Sequence, residues 1–105
     1  MNCAYNAFHI IDVTKNIELD FLDCEANHLT YLDLTNNNAL LTLICGKNEL
    51  TDLNISQNTS LENLFINDMS SINKVCVWGL PFPPLGLALD SINSPIVYFT
   101  TNCSK

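Results

Sequence analysis

Arginine is absent from the chain and lysine occurs only four times, against eleven acidic residues, so the formal net charge is −7. Nucleic-acid binding is excluded on that basis, because phosphates need clustered cations, and anionic membrane surfaces are disfavoured for the same reason. Long apolar runs are also missing. Nothing approaches the roughly 18 residues of a membrane-spanning helix, and the opening Met1–Asn6 shows no basic stretch followed by an apolar one. The chain is therefore expected to be soluble, without membrane insertion. Glycine is scarce, at three residues, which removes the glycine-rich loops that calcium-binding solenoids use. For 105 residues the natural count is one domain.

What the chain does contain is a copy of itself at a step of 21 residues. Cys3, Cys24 and Cys45 are each followed three positions later by asparagine, at Asn6, Asn27 and Asn48. The same step relates Phe8, Leu29 and Leu50, then Ile11, Leu32 and Leu53, then Val13, Leu34 and Ile55, and then Asn16, Asn37 and Asn58. Such a period means a solenoid, in which each unit is too small to bury its own apolar face and does so by stacking on its neighbour. Within each unit, apolar residues two apart give the alternation of a short strand: Leu22 and Cys24 or Leu43 and Cys45 in the first half, Leu32 and Leu34 or Leu53 and Ile55 in the second. One coil should carry two parallel strands. The asparagines require pairing if they are buried. Stacking supplies it, with Asn6, Asn27 and Asn48 forming one ladder and Asn16, Asn37 and Asn58 another along the turn backbones.

The motif Leu-x-x-Leu-x-Cys-x-x-Asn, followed by Leu-Thr-x-Leu-Asp-Leu, resembles the leucine-rich repeat. The 21-residue form with a nested ten-plus-eleven period is similar to the bacterial subclass of secreted and surface proteins. The resemblance covers about residues 1–67, and the stretch from Val75 through Pro84 to Ser104 is similar to the segment that closes such arrays. It implies an all-β solenoid, with residues 1–78 as about three and a half coils and residues 79–105 as a cap of the same domain. It also implies an extracellular or cell-surface location. Met1 lies inside a strand motif where such arrays usually have a shielding cap, so the sequence reads as part of a longer protein. Its first coil would present an unpaired strand edge open to self-association.

In the fourth coil, Leu61, Leu64 and Ile66 hold the columns, but Met69 replaces the ladder asparagine and Ser71 the following leucine. One inserted residue restores the frame and turns Ile72, Val75 and Val77 inward. The Pro81–Pro84 run ends regular pairing, since proline cannot donate to a ladder. Leu85, Leu87 and Leu89 alternate, as do Val97 and Phe99, which suggests a β-hairpin closing the stack.

The cysteine column reads as core, since cysteine is small and readily buried and parallel in-register thiols suit neither disulfide torsion nor tetrahedral metal ligation. No metal or cofactor is expected. Five cysteines leave one over, and a Cys76–Cys103 bridge across the cap remains open. Asp12, Asp33 and Asn54, with Thr14, Thr35 and Ser56, read as a solvated strand face. His9 and His28 occupy different repeat positions with no nucleophile placed beside them, so an enzyme is not expected. Phe21, Asp23, Ile44 and Phe65 stand where outward residues belong, and exposed aromatics there are the signature of an interface. Tyr31 and Asp52 on the opposite face are second choices. The leading expectation is a protein-binding module that displays a strand face rigidly. A spacer segment that binds nothing and a carbohydrate-binding module using Tyr5, Tyr31 or Trp78 are the alternatives.

Overall fold

The computed structural model describes residues 1–94 and 98–103. It contains β1 (Phe21–Asp23), β2 (Thr42–Ile44), β3 (Asp52–Asn54), β4 (Asn63–Phe65), β5 (Lys74–Cys76), β6 (Ala88–Asp90) and β7 (Tyr98–Thr100), and no helix among the described residues. β1, β2, β4 and β6 form one parallel sheet, and β3, β5 and β7 a second. The register is strict: Leu22 lies over Leu43, Leu43 over Leu64 and Leu64 over Leu89. The chain is a β-solenoid, as its period predicts.

The core is the inward face of the repeat. Leu22, Leu43 and Leu64 have no exposed surface, nor do Cys24, Cys45 and Ile66 one column further on. Thiol stacks on thiol and then on isoleucine, so the cysteine column is continuous with the hydrophobic core. Met69, Ile72, Val75 and Val77 are buried in the fourth coil, in the frame that a single insertion restores.

The asparagine ladders form through backbone groups of two coils at once. Asn48 donates from Nδ2 to the carbonyls of Cys24 (3.0 Å), Cys45 (3.0 Å) and Gly46 (3.1 Å), while its Oδ1 accepts from the Leu29 N–H at 3.0 Å. Asn27 repeats this pattern one coil earlier, with Cys3, Cys24 and the Phe8 N–H. In the second ladder, Asn37 donates to Val13 and Asn16, and Asn58 donates to Leu34 and Asn37. The Oδ1 atoms of Asn37 and Asn58 are buried without a partner. Asn6 is exposed and bonds only within its own coil.

Two expectations require correction. The tail forms no β-hairpin cap: β6 pairs with β4 and β7 with β5, both in parallel, and each lengthens an existing sheet. Unsatisfied edge groups of β4 and β5 are available to any strand in register, and period-2 alternation does not encode strand direction. Leu85 does not join that alternation, being fully exposed, whereas Leu87 and Leu89 pack against the core; Val97 lies outside the described residues. The second correction concerns the two strands per coil. The second sheet starts only at β3, and Tyr31–Asp33 makes no strand. Tyr31, Leu32, Leu34, Asp52 and Asn54 line a cleft of about 190 Å³ there.

Candidate functional site

Because Leu22, Leu43 and Leu64 point inward, the residues on either side of them point out, and the register sorts them into two rows. Phe21, Thr42, Asn63 and Ala88 form one; Asp23, Ile44, Phe65 and Asp90 form the other. Ile44 and Phe65 are therefore neighbours one strand spacing apart, about 4.8 Å, with a carboxylate at each end of their row. Phe21, 39% exposed, stands in the other row. Ile44 and Phe65 are partly exposed, and neither belongs to the core or packs against it. Lys47, near this face, is engaged by Glu25 at 3.9 Å and lies over the Tyr5 ring at 5.8 Å.

On the other face the structure brings Tyr31 and Asp52 to the same cleft, together with Asn54 and Cys103. Asp12 and Asp33 each accept from the backbone N–H and the hydroxyl of the threonine two residues on, at 2.9 and 2.6 Å for Thr14 and 3.0 and 2.6 Å for Thr35. Asn54 does the same with Ser56. The hydroxyl bond, then the backbone bond, holds both carboxyls below their ordinary value. These contacts close turns and leave the face solvated.

The thiol column is electrostatically quiet. Burial, then the neighbouring Cys3 and Asp23, push the Cys24 thiol up to about 12, and burial raises Cys45 well above the ordinary value. Both remain protonated and unreactive at neutral pH. Among the described residues no group of three histidine, cysteine or acidic side chains has metal-holding geometry. Cys76 and Cys103 form a disulfide with their Cα atoms 5.5 Å apart, which resolves the pairing that the odd cysteine count leaves open.

Sequence reasoning missed two features. His9 and His28 stack with ring centroids 5.5 Å apart, and His28 Nδ1 lies 3.1 Å from Glu49 Oε2; the histidines are 19 residues apart rather than 21, so no repeat column joins them. Tyr5, Ala26, Lys47 and Asp68, themselves 21 apart, all adopt left-handed backbone, with φ between 55° and 60°. This column turns the chain after the first strand of each coil, yet holds no glycine that would have marked it.

Coils in register, an inward leucine face and amide ladders define an all-β, parallel-stranded β-solenoid. Among solved structures, the chain is similar to the functional domain of InlJ from Listeria monocytogenes, a leucine-rich-repeat protein described as including a cysteine ladder. The TM-score is 0.70 at 23% sequence identity over 93% of this chain, which spans 26% of the InlJ chain. The likeness is one of fold. No family model matches the sequence, and no curated protein matches it. Among the described residues no helix is long and apolar enough to cross a membrane.

Proposed function

We propose that the chain is a protein-interaction module of a secreted or surface-exposed bacterial protein, and that the sheet face carrying Phe21, Asp23, Ile44 and Phe65 is its contact surface. The observation that carries this reading is the row Asp23–Ile44–Phe65–Asp90: two adjacent apolar side chains, unused by the core and bracketed by carboxylates. Amide ladders beneath the row fix its pitch, so a partner meets a preorganised surface and little ordering entropy opposes binding. The disulfide supports an oxidising compartment, and the bacterial setting follows the likeness to InlJ. The partner is a protein rather than nucleic acid, given the charge of −7, and the module acts by binding rather than catalysis.

The test is affinity capture from extracellular and surface proteins with the wild type and with Phe65→Ala, each checked for retained β-structure. A partner held by the wild type should be weakened by Phe65→Ala at least about tenfold, as central aromatic contacts are. Equal binding by the two proteins would remove this face from consideration.

A further inference from the structure

The stack changes its step most after Val75, and a cleft opens there. Leu22, Leu43 and Leu64 are 21 residues apart, but the next residue in that column is Leu89, 25 residues further on. One of the four extra residues is the insertion before Val75, which lies 22 residues after its partner Leu53; the other three lie between Val75 and Leu89, around the segment Trp78–Leu87, which reads Trp-Gly-Leu-Pro-Phe-Pro-Pro-Leu-Gly-Leu. In the regular coils the second-ladder asparagine begins a turn whose carbonyl accepts from the leucine three positions on: Leu19 to Asn16, Leu40 to Asn37 and Leu61 to Asn58. In the last coil Leu87 N–H donates to the Pro84 carbonyl at 3.2 Å. Pro84 thus begins the corresponding turn, but five residues before its column leucine rather than six, and it has no side-chain amide to donate back to the coil below.

The result is a cleft of about 430 Å³ between the turn Thr59–Glu62 and the segment Pro84–Leu87, with Trp78 lining it. This lies in the usual size range of small-ligand sites, about 300–1,000 Å³, and insertions into solenoid repeats commonly build the binding face.

Its lining is specific. Trp78, the chain's one tryptophan, is half-buried and held edge-on by Phe82, with ring centroids 5.4 Å apart, and Phe82 is backed by Phe99 at 5.1 Å. The indole N–H, the Glu62 carboxylate and the hydroxyls of Thr59 and Ser60 make no hydrogen bond to any described residue. Donors and acceptors thus stand free around an aromatic ring, and no lysine lines the cleft. A free carboxylate in a chain of charge −7 repels anionic ligands. An uncharged polyol ring satisfies every element: its C–H face lies on the indole, its hydroxyls donate to Glu62, and its oxygens accept from the indole N–H and the hydroxyls.

We propose that this cleft is a saccharide-binding site for one or two uncharged pyranose rings, with Trp78 as the stacking platform and Glu62 as the main hydrogen-bond acceptor. It lies apart from the sheet-face row and does not depend on the protein-binding reading.

The experiment is an array of neutral, N-acetylated, sialylated and sulfated glycans probed with the intact chain, followed by titration of each neutral or N-acetylated hit while tryptophan emission is recorded. Emission comes from Trp78 alone, so it reports the cleft directly. Binding of neutral or N-acetylated glycans should change that emission, weaken about tenfold or more in Trp78→Ala and severalfold in Glu62→Gln, and persist in Phe65→Ala. Because Trp78 packs against the core, the exposed Glu62→Gln and Ser60→Ala carry the test if Trp78→Ala unfolds. The proposal is overturned if no neutral or N-acetylated glycan binds, if only sialylated or sulfated glycans bind, or if binding leaves both the emission and the Glu62→Gln affinity unchanged.

Discussion

The first three coils and the last one solve the same problem differently. In the regular coils asparagines of one column bond turn carbonyls of their own coil and of the coil before, and Asn48 bonds four backbone groups in two coils. In the last coil the amides are gone. Ser94 takes the place of the first ladder's asparagine, its hydroxyl accepting from the Met69 N–H at 3.0 Å and donating to the Ile66 carbonyl at 2.5 Å. Pro84 begins the turn that the second ladder's asparagine begins elsewhere. A disulfide and the Trp78–Phe82–Phe99 cluster hold what hydrogen bonds hold elsewhere. A repeated polar ladder stabilises only while identical side chains stack; where the step changes, covalent and aromatic contacts substitute for it, and the interrupted ladder leaves an open site.

The largest effect expected from this contrast is that of Asn48→Ala. Removing the amide leaves the Leu29 N–H and the Cys45 carbonyl without their partner, while the Cys24 and Gly46 carbonyls keep Asn27 and the Ala26 N–H, with a loss of about 3 kcal/mol, measurable by urea unfolding. Asn6→Ala, at an exposed residue bonded only within its own coil, should lose less than about 0.5 kcal/mol. Equal losses would mean that the amides act singly rather than as a ladder.

Next is the joint Cys76→Ser and Cys103→Ser replacement. The bridge spans 27 residues, and loop-closure entropy puts its contribution at about 3 kcal/mol. Hydrogen exchange should then show β6 and β7 opening before β1 and β2. Simultaneous opening of both ends would contradict a last coil held by its own devices.

A smaller gain is expected at Lys47→Gly. Lys47 sits at φ 55°, where a side chain costs about 1 kcal/mol that glycine does not, and it gives up a surface ion pair with Glu25 and a long contact over the Tyr5 ring. The melting temperature should rise. Gly46→Ala should do the reverse, since a Cβ there would meet the Asn67 carbonyl at 2.5 Å.

The smallest effect concerns pH. Asp12 and Asp33 have carboxyls held below their ordinary value by the hydroxyl and backbone bonds of Thr14 and Thr35. A depressed folded-state value means stability fully present above the unfolded-state value, about pH 4, and lost as pH falls through the lower folded value. Asp33→Asn should keep its turn, because Asn54 makes the same contacts at 2.9 and 2.6 Å in the next coil, and should remove that part of the acid dependence. An unchanged acid profile would show that the Asp33 turn is not linked to folding.

Much of this fold is legible in the residues because the repeat makes each column an independent witness. Cysteine above cysteine and asparagine above asparagine can occur only if coils lie in register, and the burial of Cys24, Cys45, Asn27 and Asn48 follows. The candidate surface was legible in part. Phe21, Asp23, Ile44 and Phe65 were placed outward by alternation, but alternation does not say that Ile44 and Phe65 share a row and Phe21 does not. The left-handed column at Tyr5, Ala26, Lys47 and Asp68 gave no signal, since its residues have nothing chemical in common.

The sequence by itself determined the coil, its inward leucine and cysteine face and its two amide ladders, because a side chain's burial in a stacked repeat depends on its column and little else. Only the tertiary structure decided that the tail strands run parallel, that Cys76 joins Cys103 and that a cleft opens beside Trp78. Those features arise where the period fails, and there each contact depends on residues far apart in the chain that no repeat relates.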